Sequence, residues 1–108
     1  QKALSETLEE NGYKNIQALD GEAGLRLAKS EYPDLILLDL ILPKKDGFLV
    51  LEELKKDLST QNIPVLILSN LDRAEDIERA MSLGAKAYMV KTDYKLPEVV
   101  QKVKEALG

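Results

Sequence analysis

The chain has 108 residues, 44% hydrophobic and 31% charged, the balance of one globular domain with a single core. It contains neither Cys nor His, which excludes disulfides, thiolate or histidine metal sites, histidine general-base catalysis and a phosphohistidine-donor role; the lack of Cys fits a reducing cytoplasm. The net charge of -4 with scattered basic residues argues against direct nucleic-acid binding and disfavours an acidic partner surface. The apolar runs are too short for a membrane span, and the acidic, amphipathic opening is not a signal peptide.

Helical and strand patterns alternate along the chain. Gln1 to Asn11 carries Leu4 and Leu8 on one helical face, and Gly12 is placed to end that helix in the left-handed conformation. A weak strand follows at Asn15 to Leu19. Asp20 is an N-cap for a helix over Glu22 to Glu31, which stops before Tyr32-Pro33. Leu35 to Leu38 is a near-continuous apolar run, the pattern of a strand covered on both faces. In the third helix Gly47, Leu51, Leu54 and Leu58 recur at helical spacing.

Val65 to Leu68 is the next strand. A fourth helix runs from about Arg73 to Leu83, with Asp72 and Glu75 as a capping-box-like pair and Gly84 closing it. Ala87 to Val90 is the last strand. The final helix has Pro97 in its first turn and Val100, Val103 and Leu107 on one stripe. This alternation predicts an α/β fold: a doubly wound parallel sheet, right-handed crossovers, and helices on both faces.

Three polar residues stand at strand ends: Asp39 after Leu38, Ser69 after Leu68 and Lys91 after Val90. In a parallel sheet these ends share one edge, where open α/β folds bind ligands. A carboxylate, a hydroxyl and an ammonium meeting there suit a nucleophilic carboxylate attacking an activated phosphorus. Lys91 balances phosphoryl charge and Ser69 bonds a phosphoryl oxygen. Each residue also has a plainer role, as turn cap, local backbone partner and exposed cation, and the pattern alone leaves both readings standing. A flavodoxin-like binder of a small cofactor is disfavoured by the absence of a Gly-rich phosphate loop and by only five aromatics, four Tyr and one Phe.

The stretch from Pro33 through Asp39-Leu40-Ile41-Leu42-Pro43-Lys44-Lys45-Asp46-Gly47 closely resembles the phosphoacceptor segment of two-component response-regulator receiver domains, the chemotaxis-regulator-like superfamily. Ile63 to Ser69 looks like the fourth strand of that family with its hydroxyl switch. Ala80 to Lys91, with Gly84-Ala85 and Ala87-Tyr88-Met89-Val90, looks like its fourth helix and fifth strand. The resemblance covers residues 1–108 in order and implies the flavodoxin-like receiver fold with strand order 2-1-3-4-5.

It further implies that Asp39 is the phosphoacceptor, Lys91 the phosphoryl-binding lysine, Ser69 the hydroxyl switch and Tyr88 the aromatic switch. Mg²⁺ takes an oxygen of Asp39 and the backbone carbonyl of Ile41. The implied partners are a histidine kinase or phosphotransfer protein and a downstream protein target or effector domain, with no nucleic acid and no membrane. The activity is autocatalytic transfer to the protein's own aspartate and self-dephosphorylation. Pro43 restricts the loop, Gly47 permits a turn conformation or close packing, and Asp46 caps the third helix rather than reacting.

The chain departs from the family pattern in three places. The central first strand and the acidic pair after it do not occur in residues 1–108, and Glu6, Glu9 and Glu10 belong to the opening helix. Two strands are therefore expected to face each other unpaired, with a longer N-terminus, or a neighbouring chain in a dimer, supplying the missing strand. Mg²⁺ is conditional on the missing carboxylates. Thr92 follows Lys91 where the family usually has a cis proline, and Asn70 follows the switch hydroxyl where a small residue is usual. The absent acidic pair and Asn70 support one alternative, a pseudo-receiver that binds partners without phosphorylation, and the intact Asp39, Ser69 and Lys91 argue against it.

Overall fold

The apolar runs of four or five residues are too short for buried helices, and they pair as strands. The computed structural model describes residues 2–18, 21–40, 46–93 and 95–107. Within them lie β1 (Asn15–Ala18), β2 (Leu35–Leu38), β3 (Val65–Ser69) and β4 (Ala87–Val90). The helices are α1 (Lys2–Glu10), α2 (Gly21–Glu31), α3 (Gly47–Lys56), α4 (Ala74–Ser82) and α5 (Leu96–Leu107). The sheet runs β1-β2-β3-β4 and every pairing is parallel.

Because strand side chains alternate, each strand feeds two cores. Ile36, Leu38, Val65 and Ile67 pack with Ala28 of α2, Leu51 and Leu54 of α3 and Ala80 of α4. Leu35, Leu37, Leu66, Leu68 and Met89 pack with Leu4 and Leu8 of α1 and Val99, Val100 and Val103 of α5. Each crossover leads to the next strand in the same direction, so one hand of connection puts α2, α3 and α4 on one face. The other face is left to the helices before β1 and after β4. The expected α/β class, with a parallel sheet covered on both sides, is observed.

The expected vacancy in the sheet is closed. β1 pairs directly with β2, Asn15 opposite Leu35 through Ala18 opposite Leu38. A row of unsatisfied backbone groups in a covered sheet costs more than bringing two parallel strands together. The direct pairing places Ile16 in the core under α2, and half-buried Asn15 on the other side. There Ser5 Oγ donates to Asn15 Oδ1 at 3.0 Å, and Asn15 Nδ2 donates to the Ser5 carbonyl at 3.2 Å. This polar clasp ties α1 to the edge strand.

Helix boundaries differ from the sequence reading at two points. Leu58 leaves the α3 stripe: the helix stops at Lys56, Asp57 turns extended, and Leu58 is 83% exposed. The Asp57 carboxylate accepts from Ser59 N–H and Ser59 Oγ and pairs with Lys29, and this local turn outcompetes another helical turn. Arg73, not Asp72, is the N-cap of α4, without a side-chain cap bond; Arg73 pairs with Asp76 instead. Glu6, Glu9 and Glu10 are all exposed on α1. Gly12 and Gly84, at φ 89° and 108°, end α1 and α4 as expected. The expected cap Asp20 and strand end Leu19 lie outside the described residues.

Candidate functional site

Asp39 is the first residue past β2, and Ser69 is the last of β3. Lys91 is the first past β4, where it opens a 3-10 turn over Lys91–Asp93. With β3 between its two neighbours, Leu38 opposite Ile67 and Ser69 opposite Val90, all three fall on one edge of the sheet. Lys91 Nζ donates to Asp39 Oδ2 at 2.7 Å, with side chains 27% and 28% exposed. An ion pair this open to water is worth about 1 kcal/mol.

Ser69 is fully buried, and its Oγ accepts from the Leu71 N–H at 3.3 Å. The Tyr88 ring packs on the same core, and its hydroxyl donates to the Leu71 carbonyl at 2.8 Å. Burial first, and then the Asp76 carboxylate, push the Tyr88 phenol above its ordinary pKa, while hydrogen bonding to Ser69 acts the other way. Ser69 and Tyr88 are thus joined through both backbone groups of Leu71. The sequence reading found the two side chains and missed Leu71, because the atoms that act belong to its backbone and carry no residue signature.

Asp46 caps α3: its Oδ1 accepts from Phe48 N–H at 2.8 Å, the capping role expected for it. Of the two roles open for Gly47, close packing is the observed one. A Cβ there would lie 2.4 Å from Leu40 Cα and 2.8 Å from the Asp39 carbonyl oxygen. No cis peptide occurs among the described residues, so the bend after Lys91 forms at Thr92 through the 3-10 turn. Asn70 is exposed beside Ser69. Ile41 and Pro43 lie outside the described residues.

For a divalent cation the donor set is thin. Among the described residues no group of three Asp or Glu gathers to hold a metal, and at this edge Asp39 is the carboxylate engaged by Lys91. Mg²⁺ commonly draws on one or two carboxylates with phosphate and water. The described residues do not by themselves build such a site.

A parallel α/β sheet whose carboxyl edge pairs a carboxylate with an ammonium beside a buried hydroxyl has the architecture of a phosphoryl-handling signalling domain. The family model described as the response regulator receiver domain matches residues 1–104, and the chain belongs to that family. It is 41% identical over 104 residues to the DNA-binding dual master transcriptional regulator RpaA of Synechocystis sp., covering 96% of this chain and 43% of that protein. The chain therefore spans less than half the length of that relative.

Among solved structures, it resembles the signal receiver domain of a signal transduction histidine kinase from Syntrophus aciditrophicus. The TM-score is 0.79 at 30% identity, covering 98% of this chain and 80% of that one. It also resembles the Mn²⁺-bound form of the response regulator Rcp1, with TM-score 0.70 at 28% identity, covering 85% and 92%. No helix of the described residues is long and apolar enough to cross a membrane.

Proposed function

We propose that residues 1–108 form a receiver domain of a two-component phosphorelay in which Asp39 accepts the phosphoryl group. The observation that supports this most directly is the 2.7 Å contact between Asp39 and Lys91 across the end of β3. An Asp39 oxygen attacks phosphorus as the P–N bond of a donor phosphohistidine breaks, and the imidazole leaves with the electron pair and takes up a proton. Lys91 moves from the carboxylate to the phosphoryl oxygens, which carry the charge of a loose transition state. Attack of water on phosphorus later returns the carboxylate and releases phosphate.

In this reading Ser69 exchanges its bond to Leu71 for a phosphoryl oxygen, and Tyr88 follows it inward. The acyl phosphate then biases a two-state equilibrium at the surface of α4, β4 and α5. The donor is a histidine kinase or phosphotransfer protein, and the reader is a protein target or effector domain. Both act in the cytoplasm. Mg²⁺ would neutralise phosphoryl charge if further carboxylates joined Asp39 and the Ile41 carbonyl in holding it.

Incubation with phosphoramidate and Mg²⁺ followed by intact-mass spectrometry tests the proposal. The expected result is one phosphoryl adduct, labile to hydroxylamine and lost in Asp39→Asn. An adduct that survives in Asp39→Asn would remove Asp39 from the role.

A further inference from the structure

We infer that Gly47 is a positioning residue for the phosphoacceptor: it lets the start of α3 seat directly on the Asp39–Leu40 backbone and so fixes where the Asp39 carboxylate stands. This inference rests on the proposed role of Asp39. Gly47 is buried, and its backbone is not in the left-handed region, so conformational freedom does not explain it. Space does. A Cβ at this position would meet Leu40 Cα at 2.4 Å, the Leu40 carbonyl oxygen at 2.7 Å and the Asp39 carbonyl oxygen at 2.8 Å. All three are backbone atoms, so no side-chain rotation relieves the overlap. With carbon–carbon contact near ~3.5 Å, the Asp39–Leu40 peptide and α3 would have to part by about an ångström.

The contact is also bonded. The Gly47 N–H donates to the Leu40 carbonyl at 3.1 Å, and Asp46 caps the next N–H. Behind it, Val50, Leu51 and Leu54 anchor α3 with no exposed surface. The path runs from the α3 core through Gly47 to the peptide that carries Asp39, by backbone contact alone. The carboxylate is therefore registered against Lys91 by a helix on the far side of the 41–45 segment. A displacement of about an ångström at a reacting group costs on the order of a hundredfold in rate.

The test is Gly47→Ala in phosphoramidate kinetics, where the Asp39 O–P bond forms as P–N breaks and ammonia leaves. Rates are taken per folded molecule, the folded fraction being read from urea titration. The expected result is a maximal rate at least tenfold lower, with the half-saturating phosphoramidate concentration unchanged within about twofold. A rate per folded molecule equal to the parent's overturns the inference while leaving Asp39 as acceptor. Absence of any adduct in the parent overturns the proposed function itself.

Should Gly47→Ala not fold, Val50→Ala and Val103→Ala carry the test, since both valines are fully buried, one in α3 and one in α5. Slowing of at least threefold per folded molecule in Val50→Ala but not in Val103→Ala supports positioning through α3. Equal rates in the two variants reject it.

Discussion

At the scale of single residues, the site works through atoms of very different visibility. Asp39, Ser69 and Lys91 stand out in the sequence because a charged or hydroxyl side chain closes an apolar run, while the Leu71 groups that hold Ser69 and Tyr88 are backbone atoms. Tyr88→Phe removes the donor to the Leu71 carbonyl and is expected to lower stability by about 0.5–1.5 kcal/mol, read from the urea midpoint. Asp57 supplies a pH effect away from the site. Its bonds from Ser59, then the ammonium of Lys29, hold its carboxyl down at about 2 against an ordinary 3.8. A carboxyl lowered on folding adds stability that is present above the unfolded value and is lost as pH falls toward the folded one. Parent and Asp57→Asn should therefore differ in unfolding midpoint at pH 6 and converge between about pH 4 and 2. A difference that persists unchanged at pH 2 would rule this out.

At the scale of elements, α3 shows how local chemistry overrides periodicity. The spacing of Leu51, Leu54 and Leu58 extends one turn beyond the helix, yet the Asp57 turn stops it, and Thr60 Oγ1 then bonds the Leu54 carbonyl at 2.7 Å. Leu58→Ser is accordingly expected to change stability by no more than about 0.5 kcal/mol. Leu54→Ala, on the same apparent stripe, should cost about 2–5 kcal/mol. Equal losses in chemical denaturation would restore Leu58 to the core. The α4 helix is the more lightly held: Ala80 is its buried residue, and its Arg79 guanidinium sits 4.1 Å over the Phe48 ring of α3. A helix with one small residue fully buried and a cation–π contact to α3 suits the moving part that the proposed switch requires.

At the scale of the whole molecule, both sheet faces must be covered, and α1 and α5 cover one of them. Leu8 of α1 is fully buried against β2, β3 and α5. Leu8→Ala should cost about 2–5 kcal/mol, whereas a helix merely resting on the surface would lose under about 0.5 kcal/mol in the same calorimetric comparison. Strand and helix identities were legible in the sequence, because near-continuous apolar runs and helical stripes are local signals. The direct pairing of β1 with β2 was not, because strand adjacency depends on which backbone groups are left over once every other pair has formed.

Sequence alone determined the alternation of helices and strands, the family and the three residues at the strand ends, since each rests on side-chain type and spacing. Tertiary structure alone decided that Asp39 and Lys91 touch, that Leu71 joins Ser69 to Tyr88, and that Gly47 is there for contact rather than conformation. Those outcomes turn on differences of an ångström or less in how separate elements are placed, a precision that residue order does not encode.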